Sequence, residues 1–164
     1  MTIESNLSEP SKLQQGLMDQ AIAFFTAGSR CDASINITPL ISNHPVAPAV
    51  VLFAFTIELY LKLLHAITSS APIKKHDLHD LFVALPNEIK DLMNSSYGNT
   101  DIEEDILKVK SVFVDWRYKH ETSTLLTIEP RMLVRVATSA HKVSKELMPG
   151  LKVHGENYHL GGRL

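Results

Sequence analysis

The amino-acid sequence predicts an all-α protein, an up-down bundle of four main helices with one or two short helices between them. Apolar residues recur at helical spacing along most of the chain. The longest apolar run, Val46 to Leu64, is too long for an ordinary strand. Prolines and capping residues stand where helices begin or end. These features favour a bundle of four to six helices.

Composition fits one globular domain. The chain has 164 residues, 45% of them hydrophobic, which is enough to bury a core without disulfides or metal ions. The predicted core spans about residues 11–148, followed by a loose C-terminal tail over 149–164. Bulk disorder, a collagen-like repeat and a disulfide scaffold are excluded.

The net charge limits the classes of binding partner, and the cysteine content indicates the cellular compartment. A net charge of −2 gives no general attraction to nucleic acids, so such binding needs a local basic patch. Cys31 is the single cysteine, so it forms no internal disulfide and fits a reducing compartment. Because Met1–Pro10 lacks the regions of a secretory signal, we expect a cytoplasmic protein.

The first helix is predicted over Ser11–Arg30, with Ser11 as its cap. Its apolar face comprises Leu13, Leu17, Ala21, Phe24 and Phe25. Asp32–Pro45 has no hydrophobic period and is predicted to be a loop.

The second helix, predicted over Val46–Ser69, is the most apolar part of the chain, and Pro48 is tolerated in its first turn. The stretch Val50–Phe55 is apolar on all sides, which is typical of a central bundle helix. Glu58 and Lys62 interrupt the run. Since charges in mid-membrane are costly, we interpret the segment as a core helix and not as a membrane span.

Two short helices follow. Asp77 can cap a helix over 76–82, and Pro86 ends that helix or begins the next one, Asn87–Met93. Asn94–Thr100 is predicted to be a turn.

Two long helices complete the predicted bundle. One spans Asp101–Glu121, begins with acidic residues as the helix dipole prefers, and carries an apolar stripe of Ile102, Ile106, Val109, Phe113 and Trp116. After a break over Thr122–Ile128, the other spans Glu129–Met148 with Pro130 in its first position. Pro149 and Gly150 then stop the helix. Leu151 and Val153, which follow, can dock on the bundle.

A polar strip interrupts the second helix, because Glu58, Lys62 and His65 are spaced to lie on one face. One interpretation is an ion pair on a partly exposed edge. The other is a strip that lines a cleft or a subunit interface, where a buried Glu58 needs a cation from another helix. The sequence leaves both open.

The most informative segment precedes the predicted break. Arg117, His120 and Glu121 lie on one helical face near a C-terminus. Arg117 can offer a planar fork to a carboxylate or phosphate, and His120 can exchange protons near neutral pH. Glu121 can pair with Arg117 or set the tautomer of His120. Cations are favoured at helix C-termini in any case, but the adjacent Trp116 and Tyr118 favour a functional interpretation.

The segment His76-Asp77-Leu78-His79-Asp80 has the composition of a metal motif, and His76 and Asp80 are spaced to share an ion. Di-iron bundles use a Glu-x-x-His motif from each of two helices, and the sequence has no such pair of motifs. His-Glu-x-x-His is also absent. We therefore predict capping and tertiary hydrogen bonds here, and neither a metal ion nor another cofactor.

Three ordered pieces of the chain resemble the HEPN superfamily (higher eukaryotes and prokaryotes nucleotide-binding). They are FTIELYLKLL at 55–64, HDLHDLF at 76–82 and the arginine-led WRYKHE at 116–121. Order and spacing agree with the family over about Ala47–Leu147. The resemblance implies an up-down helical bundle that often forms a homodimer, with the arginine motifs of two subunits across one cleft.

Members of the family include non-catalytic nucleotide or RNA binders and metal-independent RNases of defence systems. The resemblance thus implies a nucleotide- or RNA-binding module of a prokaryotic defence or toxin–antitoxin type, with an antitoxin or a nucleotidyltransferase-like protein as a further partner. Glu58 would orient Arg117. The ligand-binding residues that the resemblance suggests are Lys62, Trp116, Tyr118, Glu121, His76 and His79.

Two alternatives stay open. One is a metal-independent RNase whose catalytic residues are Arg117, His120 and Glu58. Such RNases place four to six residues between the arginine and the histidine, whereas two separate Arg117 from His120. Arg135 and His141 have five residues between them but point about 120° apart on a regular helix, so they are secondary candidates. The other alternative is a non-catalytic dimeric interaction protein.

Overall fold

The structure, a computed structural model, describes residues 9–33, 46–69, 73–98, 100–110 and 130–153. These residues form six α-helices and no strand, which confirms the all-α prediction. The helices are α1 (Lys12–Ala33), α2 (Val46–Thr68), α3 (Leu78–Val83), α4 (Asn87–Tyr97), α5 (Ile102–Lys108) and α6 (Pro130–Leu147).

Helix α1 begins with a reciprocal cap. The Gln14 backbone N–H donates to Ser11 Oγ at 3.2 Å, and the Ser11 N–H donates to Gln14 Oε1 at 2.8 Å. The buried side of the helix centres on Met18 and Ala21. Leu13, predicted on that side, is 56% exposed, so this prediction is wrong. Since Met18 lies five residues on, Leu13 points about 140° away from it.

Helices α1 and α2 pack antiparallel, and α2 is the central helix that the sequence predicts. Gly28 of α1 allows the two helices to approach closely, because a Cβ atom there would lie 2.8 Å from Phe53 Cε1 of α2. Pro48–Thr68 is long and apolar enough to cross a membrane, yet 67% of an 18-residue window within it is buried inside the bundle. The helix contacts α1 on one side and α3 and α6 on others, as expected of a core helix.

Three helix ends differ from the prediction. Helix α1 continues past Arg30 to Ala33, so Asp32 is helical and not part of the predicted loop. Helix α4 continues to Tyr97, and Gly98 ends it with a φ of 107°, a left-handed conformation that favours glycine. Helix α5 ends at Lys108, and Val109 and Lys110 form a turn, so a continuous helix over Asp101–Glu121 is wrong. The Val109 N–H bonds to the Ile106 carbonyl, which tightens the last turn. Residues 111–121 and the predicted break lie outside the described residues, as do 34–45 of the predicted loop.

Helix α6 begins at Pro130, packs against α2 and α4, and ends before Pro149 and Gly150, as predicted. The chain after α6 packs against the bundle as far as Val153. The predicted loose tail therefore does not begin at residue 149. Leu151 is buried, and the Gln15 side-chain amide exchanges two hydrogen bonds with the Lys152 backbone, at 2.8 and 2.9 Å.

Candidate functional site

A buried carboxylate on α2 holds two basic groups. We call Glu58, Lys62 and His76 the Glu58 cluster. The Glu58 side chain is only 3% exposed, Lys62 Nζ donates to its Oε1 at 2.7 Å, and His76 Nδ1 lies 2.9 Å from the same oxygen. The predicted ion pair between Glu58 and Lys62 is therefore present, but its carboxylate is buried and only Lys62 is partly exposed. The second partner of Glu58 is a histidine from the segment before α3, and not the expected cation from another helix.

The sequence around His76 explains how it reaches Glu58. Asp77 caps α3 by accepting the Asp80 N–H at 3.0 Å, as predicted. Leu78, next in the chain, is fully buried against the core. His65, the third residue of the polar strip, is buried and lies 2.9 Å from the Leu81 carbonyl through Nε2. The Asp77 cap, the buried Leu78 side chain and the contact of His65 with the Leu81 carbonyl together hold α3 on α2. His76 is thereby placed beside the Glu58 carboxylate.

The outer side of the Glu58 cluster is basic. The His76 side chain is 77% exposed and that of Lys62 is 19% exposed. Lys74 and Lys75 precede His76 in the same exposed segment, where Lys75 pairs with Asp80 at 3.3 Å. A carboxylate in the core thus anchors basic groups at the surface, an arrangement that can bind an anion such as a phosphate.

His79 and Asp80 take part in local pairs. His79 Nε2 lies 3.1 Å from Glu103 Oε1 and links α3 to α5. Among the described residues, no group of three or more potential metal ligands comes together. The Asp77 cap and the contacts of His76 and His79 with Glu58 and Glu103 confirm the predicted capping and tertiary hydrogen bonds of this segment.

The secondary candidate Arg135 is an exposed residue of α6 that bonds to neighbouring elements of the bundle. Its Nη2 donates to Thr100 Oγ1 at 2.9 Å and to the Tyr97 carbonyl at 3.4 Å, and the guanidinium lies 4.3 Å from the centre of the Tyr97 ring. The Tyr97 hydroxyl donates to Asp105 at 2.7 Å. We call Tyr97, Asp105 and Arg135 the Tyr97 cluster; it ties α4, α5 and α6 together.

Two pKa shifts arise in the Tyr97 cluster. Burial raises the pKa of the Tyr97 hydroxyl, and its hydrogen bond to Asp105 raises it further. Burial alone would raise the pKa of the Asp105 carboxyl as well. The hydrogen bonds from Tyr97 and Lys108 and the charges of Lys108 and Arg135 outweigh burial, so the pKa of Asp105 lies below its usual value.

The other secondary candidate, His141, has a different neighbour. Its Nδ1 lies 3.0 Å from the hydroxyl of Tyr60 on α2. The structure therefore does not bring Arg135 and His141 together as a pair. Sequence reasoning missed Tyr60 and the Tyr97 partners, although a hydroxyl on the most apolar helix was a signal.

The arginine-led segment stays untested. Trp116, Arg117, Tyr118, His120 and Glu121 all lie outside the described residues, so their predicted roles remain predictions. No family model matches the chain, and no curated protein or solved structure matches it either.

Proposed function

We propose that this chain is an HEPN-like module that binds a nucleotide or RNA, of a prokaryotic defence or toxin–antitoxin type. The supporting observation is the buried Glu58 carboxylate with Lys62 and His76 on one of its oxygens. Burying a carboxylate in the most apolar helix is costly, and apolar residues would pack there at lower cost. A functional need for basic groups in fixed positions explains why this unfavourable burial is retained.

In the proposed complex, Lys62 and His76 contact a phosphate, and Lys74 adds positive charge beside it. Arg117 from the predicted arginine-led segment supplies a planar fork to the same phosphate. Trp116 or Tyr118 stacks on a base. Because the basic groups are few and local, this mode of binding is compatible with a net charge of −2.

The test is fluorescence anisotropy of a short labelled single-stranded RNA at low and moderate salt. Lys62→Gln and Arg117→Ala should each weaken binding and lower the slope of log K against log salt by about 0.7 per lost phosphate contact. Lys142→Gln, at an exposed position of α6, removes the same charge as Lys62→Gln and should leave binding unchanged. No binding by the wild type, or equal binding by wild type and Arg117→Ala, would exclude the proposal.

The two alternatives are tested with the same samples. RNA cleavage that persists in EDTA and disappears in His120→Ala would replace the proposal by the RNase alternative. In analytical ultracentrifugation, a dimer that weakens in Glu58→Gln while the wild type binds no RNA would favour the interaction protein.

A further inference from the structure

A cavity of about 290 Å³ lies between α1, α2 and α6. It is on a different side of α2 from the Glu58 cluster, since Tyr60, which lines it, is two residues and about 200° from Glu58. Ile22, Phe25, Ala137 and Val153 give it apolar walls. The cavity therefore does not belong to the site of the proposed function.

The lining also contains Thr26 and Thr138, whose hydroxyls donate to carbonyls of their own helices, and one polar pair of side chains. The Tyr60 hydroxyl and His141 Nδ1 lie 3.0 Å apart, and both residues line the cavity. Tyr60 is 3% exposed, and burial raises the pKa of its hydroxyl, so the group stays neutral. A hydroxyl has one donor and two acceptor positions, so its bond to His141 leaves capacity for a ligand.

The C-terminal segment holds one wall in place. Val153 follows Lys152, whose backbone exchanges two hydrogen bonds with the Gln15 amide. Leu151 is buried, and Lys145 Nζ donates to its carbonyl. The cavity is therefore preformed, as most small-molecule sites are.

We propose that this cavity binds a small uncharged aromatic molecule that carries one hydroxyl or N–H group. The volume is at the low end for ligand pockets, which suits one or two rings. The described lining contains no Lys, Arg, Asp or Glu, which disfavours an ionic ligand. The ring packs against Ile22, Phe25 and Ala137, and the polar group bonds to the Tyr60 hydroxyl.

The experiment is a protein NMR titration of the full chain with 4-methylphenol and with toluene, which differ by one hydroxyl. We expect 4-methylphenol to give saturable shifts at Ile22, Ala137 and Val153. Toluene should bind about threefold to tenfold more weakly, as loss of one hydrogen bond predicts. In Tyr60→Phe this difference should disappear, while toluene binding should stay within about twofold.

Two variants that fill the cavity complete the test. Ala137→Leu fills it from inside, and Thr138→Leu does so from an exposed position at its rim, where folding is less at risk. Each should weaken 4-methylphenol binding at least about tenfold, since a filled site leaves no room for the ring. Ala84→Leu, the same change at an exposed position after α3, is the control and should leave binding unchanged.

Three results would overturn the proposal. They are no saturable shifts with either compound in the wild type, wild-type affinity in both filling variants, and equal affinity for the two compounds. RNA binding by the wild type and by Ala137→Leu is measured in parallel. If the wild type binds no RNA, the proposed function is contradicted and the cavity result is unaffected.

Discussion

Two polar clusters join the outer helices to each other and to the core, and they differ in what their basic groups are bonded to. In the Tyr97 cluster, Arg135 bonds Thr100 and the Tyr97 carbonyl, and Asp105 accepts from Tyr97 and Lys108. The arginine is exposed on α6, but its hydrogen bonds run to the end of α4 and to Thr100 before α5. In the Glu58 cluster the acid is buried and the basic groups lie outside it, with His76 77% exposed.

The comparison shows that a charged residue on an amphipathic or apolar helix does not by itself indicate a site. Arg135 has the residue type expected for phosphate binding, yet its donors are used to connect helices. Lys62 and His76 share one carboxylate oxygen and are both partly exposed. What the basic groups are bonded to separates the structural cluster from the candidate site: Arg135 bonds a carbonyl and a hydroxyl of neighbouring elements, whereas Lys62 and His76 meet at one buried carboxylate. Four predictions test this difference.

The largest expected effect is on Glu58. Glu58→Gln should lower the free energy of unfolding by about 2 kcal/mol, because two basic groups lose their charged acceptor in a mostly buried place. Urea unfolding at neutral pH measures it. Glu146→Gln, at an exposed position of α6, is the control and should change stability by less than about 0.5 kcal/mol. A loss as small as the control would mean that Glu58 does not hold the cluster together.

Arg135→Ala should cost about 1 kcal/mol through the lost hydrogen bonds and the lost contact with the Tyr97 ring. RNA affinity should equal that of Arg131→Ala, an exposed arginine on the same helix. A selective loss of RNA binding in Arg135→Ala would break the comparison, because the Tyr97 cluster would then be part of a site.

Asp105 should make stability pH-dependent. Its pKa is lower in the folded chain than in the unfolded chain, where a value of about 3.9 is usual. Its contribution is therefore complete above that value and is lost as pH falls through the lowered folded pKa. Asp105→Asn should cost about 1 kcal/mol at pH 7 and show a shallower fall in stability toward pH 3. Urea unfolding midpoints measured from pH 7 to pH 3 test both the cost and the shallower fall. Parallel stability curves for the variant and the wild type would contradict the prediction.

The smallest effect on stability is expected for His76. His76→Ala should change the free energy of unfolding by less than about 0.5 kcal/mol, because its exposed side chain pairs largely in solvent. RNA affinity should nevertheless fall relative to Lys142→Gln. If stability falls as much as in Glu58→Gln and RNA binding does not change, the Glu58 cluster is structural like the Tyr97 cluster.

Local signals predicted most helix ends correctly and failed at identifiable places. Ser11, Asp77 and Pro130 act within one turn, so their effect on a helix start is visible in sequence. The predicted helix from Asp101 was too long because Ile102, Ile106 and Val109 are all buried whether the last of them is in a helix or a turn. An apolar stripe reports which residues face the core and not where the backbone changes direction.

The sequence by itself determined the fold class, the central place of α2 and the shared face of Glu58 and Lys62. These properties depend on spacing within a few residues, which helical geometry converts directly into position. Only the tertiary structure decided that His76 supplies the second base, that Arg135 bonds to Tyr97 and Thr100, and that Tyr60 meets His141 at a cavity. Partners in those contacts are 18 to 81 residues apart in the chain, and their meeting depends on how whole helices pack.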